Sequence, residues 1–125
     1  MKYQIKLPKK IELVYTPPFT NDIRRFVKRG SLHPADLEDF KRLLTEDPQL
    51  GVIVQGTGGL RKARLKSASS GKRGGFRVCY YYYIIHGQII LLAVYAKNEQ
   101  DDLSPNERRK FKDIIEKINQ ETTHE

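Results

Sequence analysis

From Arg61 to Lys97 the chain reads RKARLKSASSGKRGGFRVCYYYYIIHGQIILLAVYAK, and three strand-like runs within it decide the fold. Arg61 to Lys66 alternates, with Ala63 and Leu65 on one face and Lys62, Arg64 and Lys66 on the other. Ser67 to Gly75 is a hairpin loop of glycine, serine and basic residues. Phe76 to Ile84 is rich in aromatic and β-branched side chains, which suit a pleated surface. His86-Gly87 turns the chain again. Gln88 to Lys97 is almost continuously apolar, as expected of a central strand covered on both faces. The short connections make these three strands antiparallel neighbours.

Working outward toward the N-terminus, Ile11 to Tyr15 has the composition of a fourth strand. Thr16-Pro17-Pro18 is expected to stop it, since proline cannot donate to a ladder. Ile23, Phe26 and Val27 recur at helical spacing and predict a short helix over Asn21 to Lys28, with Thr20 or Asn21 as its cap. After the break at Arg29-Gly30-Ser31, Pro34 opens a second helix striped by Leu37, Phe40, Leu43 and Leu44. Asp47-Pro48 ends it, because the residue before a proline is pushed out of the α region. Toward the C-terminus, Ser104-Pro105-Asn106-Glu107 is a capping box, and Phe111, Ile114, Ile115 and Ile118 stripe the helix that follows. Residues 1–10 read as a basic N-terminal arm and residues 121–125 as a frayed tail. A chain of 125 residues buries one core. The expectation is therefore one α+β domain over residues 1–125. A twisted, mainly antiparallel sheet carries two N-terminal helices on one face, with a C-terminal helix near the sheet's edge or end.

Charge is distributed unevenly along this frame. Between Pro48 and Asn98 there are eight basic residues and no Asp or Glu, while the rest of the chain holds fifteen of each sign. The formal net charge of +8 thus resides in the central strands and their loop, and it points to a polyanion, nucleic acid first. No apolar run approaches the roughly 20 residues of a membrane span. The basic start lacks the apolar core of a signal peptide. A lone Cys79 makes no internal disulfide, and His33, His86 and His124 are too dispersed to suggest a metal. A reducing, cytoplasmic setting without membrane, metal or cofactor is expected.

Several motifs carry a family resemblance. Gln55-Gly56-Thr57-Gly58-Gly59-Leu60-Arg61-Lys62 is followed by Gly71-Lys72-Arg73-Gly74-Gly75, then Arg77 and Tyr80-Tyr81. Tyr95-Ala96-Lys97-Asn98-Glu99 and Asp102-Leu103-Ser104 complete the set. Over roughly Ile11 to Ile118 the chain resembles the HigB branch of the RelE/ParE toxin superfamily. The resemblance implies a RelE-like fold and a type II toxin that cleaves mRNA on the translating ribosome. It implies attack of a ribose 2′-OH on the adjacent phosphate, with no metal or cofactor, and neutralisation by a cognate antitoxin, a HigA-like helix-turn-helix protein. By position, Lys62 and Arg64 match the family's basic pair, Arg77 its strand-opening arginine, and Lys97 the basic motif closing the last strand. Asn98 stands where the RelE branch has a further arginine. That branch's C-terminal tyrosine has no counterpart near Leu103, and Tyr95 or Tyr81 is the substitute this sequence offers.

The residues suggest how such a site works. Strand parity lets Arg77 and Lys97 join Lys62 and Arg64 on one face, with Tyr81 sharing the face of Arg77 and Tyr95 that of Lys97. Fixed cations favour a pentacoordinate phosphorane over the ground state because the phosphorane gathers more negative charge. Arginine is never a base at neutral pH, whereas a lysine crowded by like charges exchanges protons more readily. Arg64 and Arg77 are thus candidate clamps, and Lys62 or Lys97 the proton-transfer group. Tyr81 and Tyr95 are candidates to stack on a base or orient the ribose. Arg61, Lys66, Lys72 and Arg73 are candidate RNA contacts, the last two docking rRNA from their loop. Two other functions suit the same face: a non-cleaving toxin that acts on DNA gyrase, as the ParE branch does, and an RNA-binding module without catalysis.

Overall fold

The computed structural model describes residues 10–67 and 75–123. In chain order it contains β1 (Glu12–Tyr15), α1 (Pro17–Lys28), α2 (Pro34–Glu46), β2 (Val52–Ile53), β3 (Leu60–Leu65) and β4 (Phe76–Tyr83). A 3-10 turn (Ile84–His86), β5 (Gln88–Ala96) and α3 (Pro105–Thr123) complete it. The strands form one sheet ordered β1-β5-β4-β3-β2, antiparallel throughout except where β1 runs parallel to β5. This is the α+β architecture expected from the sequence, with a two-residue strand added at the edge. Val52 and Ile53 are too short a run to show a period, and they pair with Lys62 and Arg61. Most of the Ser67 to Gly75 hairpin loop, including Lys72 and Arg73, lies outside the described residues, as do the arm 1–9 and residues 124–125.

Alternation sorts the sheet's side chains into two apolar layers. Ala63, Leu65, Phe76, Val78, Tyr80, Ile89 and Leu91 point to one face, where Phe19 and Phe26 of α1 and Phe40 and Leu44 of α2 close over them. Leu60, Cys79, Tyr83, Ile90, Leu92 and Tyr95 point to the other, against Ile115 of α3 and Leu103 just before it. The last helix therefore lies on the second face of the sheet, not at its edge or end as expected. β5 is apolar on both sides, so its second face needs a cover, and full burial of each such side chain contributes about 1.5–3 kcal/mol. The helix also runs through Thr123, beyond the expected fraying point at Glu121. Its capping box forms as anticipated: Glu107 N–H donates to Ser104 Oγ at 3.1 Å, and Ser104 N–H donates to Glu107 Oε1 at 2.8 Å.

Two local departures from the expected pattern position the site. The first is at Pro17-Pro18, which open α1 and do not merely stop the strand. Proline's missing N–H costs nothing in a first helical turn, where that donor has no intrahelical partner anyway. Thr16 ends the strand by donating both its N–H (3.3 Å) and its Oγ1–H (2.8 Å) to Leu91 O. β5 then continues without β1, and Asp22 of α1 takes over as partner, accepting Val94 N–H at 2.9 Å. The second departure is a bulge. Cys79 pairs with Ala93 but Tyr80 pairs with Leu91, so Leu92 is an extra residue in β5. Strict alternation from Ile89 would send Tyr95 to the α1 and α2 face. The bulge reverses the parity and turns Tyr95 to the other side.

Candidate functional site

The register aligns the expected cations as follows. Arg64 on β3 pairs with Arg77 on β4, and Arg77 pairs with Tyr95 on β5. One row further in, Lys62 pairs with Cys79, which pairs with Ala93. Lys97 follows directly after β5, its N–H donating to Gly75 O at 3.1 Å. Directly opposed side chains on a sheet stand about 5 Å apart at Cβ. Lys62, Arg64, Arg77 and Tyr95 thus belong to one face across three neighbouring strands. α3 and its lead-in cover the Leu60–Tyr83 end of that face. Arg64 is exposed and Arg77 half-buried.

Two of these cations are held by carboxylates. Lys62 Nζ lies 2.9 Å from Asp102 Oδ1, and Lys97 Nζ lies 2.9 Å from Asp101 Oδ1. The expected crowding of these lysines by like charge is thereby relieved in the structure. Both aspartates lie between β5 and α3, just past the acid-free stretch that ends at Asn98, and the chain folds them back onto its basic segment. Asp102 Oδ1 also accepts Leu103 N–H at 2.8 Å, and Arg108 Nη2 lies 3.2 Å from Oδ2. The lysine hydrogen bond, followed by the Leu103 N–H, holds the Asp102 carboxyl below the usual range. Gln100 Nε2 donates to Asp102 O and Glu107 Oε1, each at 3.1 Å, tying this turn to the helix.

The tyrosines divide by burial. Tyr95 is 7 % exposed, and burial above all pushes its phenol up to about 12, so it keeps its proton at neutral pH. Tyr81 shares the face of Arg77 but sits toward α3, donating its hydroxyl to Asn119 Oδ1 at 3.1 Å and stacking on Tyr83. Tyr80 belongs to the opposite layer. Cys79 is fully buried and its thiol is pushed up to about 12, chiefly by burial, which makes it an inert sheet residue.

Other expected contacts fall elsewhere. Arg61 points to the α2 side, where its Nη1 donates to Gly51 O at 2.7 Å, so it anchors a turn. Lys66 is exposed just past β3 and lines, with Arg64, a groove bounded by Phe40 and Leu43 of α2. His33 caps α2, its Nδ1 accepting Ala35 N–H at 3.3 Å, and His86 stacks on Tyr83. Among the described residues no group of three His, Cys, Asp or Glu side chains is arranged to hold a metal, and no helix is long and apolar enough to cross a membrane. Sequence reasoning passed over Arg108 and the two aspartates. The signal available for Asp102 was its place in the motif set; Arg108 had none, because its approach depends on where α3 lies.

A small α+β domain with one mainly antiparallel sheet, helices on both its faces and cations opposed across its β3 and β4 strands has the RelE-type toxin fold. The solved structure of E. coli toxin RelE, as a double arginine-to-alanine mutant in the free state, superposes with a TM-score of 0.50 at 16% identity, covering 74% of this chain and 88% of that one. The model for "RelE toxin of RelE / RelB toxin-antitoxin system" matches residues 21–125, and the chain belongs to this RelE toxin family.

Proposed function

We propose that the chain is a HigB-type toxin that cleaves mRNA on the translating ribosome. The observation that supports it is the Arg64–Arg77–Tyr95 row, flanked by Lys62 and Lys97, in a member of a toxin family. In the proposed reaction the 2′-oxygen attacks the neighbouring phosphorus and the bond to the 5′-oxygen breaks. The products are a 2′,3′-cyclic phosphate and a 5′-hydroxyl. The 2′-OH proton passes to solvent water, and the departing 5′-oxygen takes one from a lysine of the site. Arg64 and Arg77 clamp the phosphate and stabilise the charge that develops on it, each worth on the order of 3 kcal/mol. Lys62 or Lys97 enters as the proton-transfer group, serving as donor to the departing 5′-oxygen. Tyr95, buried and protonated, acts as a platform under Arg77.

Lys66 is exposed and suits an rRNA contact, Lys72 and Arg73 remain RNA contacts proposed from the sequence alone, and Tyr81 lies too close to α3 to be more than a border. The same reading assigns residues 1–125 to a single toxin domain working in the cytoplasm without cofactor. A cognate HigA-like helix-turn-helix antitoxin is its neutralising partner. One observation favours a second reading. Lys62 and Lys97 each rest on a carboxylate, which suits a protein of this fold that binds DNA gyrase, or RNA, without cleaving. The nuclease is preferred because Asp101, the carboxylate on Lys97, is fully exposed, and because Arg64 pairs with no carboxylate among the described residues.

The test is to add the purified chain to translating ribosomes and map mRNA 5′ ends. Codon-aligned cuts are expected, and they should vanish for Arg64→Ala and Arg77→Ala. Intact mRNA with gyrase-dependent DNA breaks would establish the second reading in its place.

A further inference from the structure

The cationic face also receives a positive charge from α3. Arg108, in the early turns of α3, and Lys62 of β3 both hold the Asp102 carboxylate, at 3.2 Å on Oδ2 and 2.9 Å on Oδ1. The carboxylate is itself fixed by Leu103 N–H at 2.8 Å. One aspartate thus sets a strand cation and a helix cation at a defined spacing, and their joint charge exceeds its own by one.

We infer that Arg108 is a further RNA-phosphate ligand of this site and that Asp102 is the positioning residue that sets Lys62 and Arg108 side by side. The inference rests on the reading of this face as the RNA site. Its support is geometric. The Lys62 and Arg108 side chains are 27% and 39% exposed, so both remain reachable although paired. A guanidinium has five N–H donors, and Asp102 engages one Nη of Arg108, leaving donors for a phosphate. Leu103 N–H and the Gln100 bond to Asp102 O hold the aspartate in place between the two cations. The neighbouring Arg109 is exposed as well, but its guanidinium turns to Asn106 and takes no part.

Two measurements on the full chain test this. The first is binding of a single-stranded RNA oligonucleotide with 2′-O-methyl riboses, which cannot be cut by its own 2′-oxygen, followed by fluorescence anisotropy across salt concentrations. Arg108→Ala should make the slope of log affinity against log salt shallower by about 0.7, the value for one phosphate contact to a single strand. Arg108→Lys should keep the slope and lose affinity severalfold, and Arg109→Ala should change the slope by much less. The second is single-turnover mRNA cleavage on ribosomes. Asp102→Asn should bind RNA at least as tightly as the parent, because it removes a negative charge, yet cleave about tenfold more slowly. Equal slope changes for Arg108→Ala and Arg109→Ala would overturn the role of Arg108. Faster cleavage by Asp102→Asn would overturn the positioning role, since the carboxylate would then be a competitor of the phosphate. If the parent chain cuts no mRNA, the nuclease reading fails by itself, and the anisotropy series still decides whether Arg108 contacts RNA.

Discussion

Arg64 on β3 and Arg77 on β4 stand directly opposite each other in the sheet, two like charges in one cross-strand pair. Opposed like charges in a sheet are destabilising, on the scale of about 0.2–1 kcal/mol that cross-strand pairs command. A fold that keeps such a pair loses stability to gain a concentrated positive field. Arg64→Gln should therefore raise stability by up to about 1 kcal/mol while lowering ribosomal mRNA cleavage on the order of a hundredfold. Chemical denaturation and single-turnover cleavage, measured on the same preparation, check the two halves. Loss of stability together with activity would reduce the pair to ordinary packing.

Tyr95 reaches the cationic face only because of the extra residue in β5, and it is buried with its phenol pushed up to about 12. A group that keeps its proton at neutral pH is not the base. Tyr95→Phe should keep cleavage within about threefold and leave the pH–rate profile unchanged through neutrality. Tyr95→Ala should cost about 3–5 kcal/mol of stability by opening a cavity under Arg77. A Tyr95→Phe loss of a hundredfold would move the phenol into the chemistry.

The sheet, its antiparallel core, both N-terminal helices and the face shared by Lys62 and Arg64 were legible in the sequence, because each rests on local periodicity or on proline and glycine chemistry. Besides the short β2 and the β5 bulge, three features were not. The start of α1 was missed because Pro17-Pro18 both end a strand and begin a helix. The position of α3 was missed because a stripe of Phe111, Ile115 and Ile118 does not say which face it covers. The pairing of Lys62 and Lys97 was missed because Asp101 and Asp102 lie outside the acid-free stretch in sequence and return to it only through the β5–α3 turn. Composition reports which charges a segment carries and not which neighbours the fold brings back to it.

Tyr80 shows how four consecutive tyrosines acquire different tasks. Fully buried, it donates its hydroxyl to Pro48 O and accepts Gly51 N–H, both at 2.8 Å, fastening the turn after α2 to the sheet. Gly51 has no room for a side chain, since a Cβ there would lie 2.9 Å from Lys62 O and from the Tyr80 ring. Tyr80→Phe strips a buried donor and a backbone acceptor of their partner, and should cost about 1–3 kcal/mol. Tyr81→Phe, which loses only an exposed bond to Asn119, should cost less. Urea midpoints of the two variants rank them directly, and an equal cost would mean that the Gly51 anchor contributes nothing.

Two aspartates should give opposite responses to acid. Asp102 has its carboxyl lowered from 3.8, first by the Lys62 hydrogen bond, so its contribution to stability is present above that value and disappears as pH falls below it. Asp22 has its carboxyl raised from 3.8 by burial, despite accepting Val94 N–H and lying near Arg25. The stability associated with its protonated form is complete below 3.8 and is lost as pH rises through the higher folded value. An asparagine at position 22 can still accept Val94 N–H but never ionises. Asp22→Asn should therefore match the parent near pH 3 and become more stable than it as pH approaches neutrality. Asp102→Asn should be less stable than the parent near neutrality, and the gap should close as pH falls below about 4. Denaturant titrations of both variants and the parent from pH 3 to 8 distinguish the two patterns. The same sign for both aspartates would mean that burial at Asp22 does not outweigh its hydrogen bond to β5.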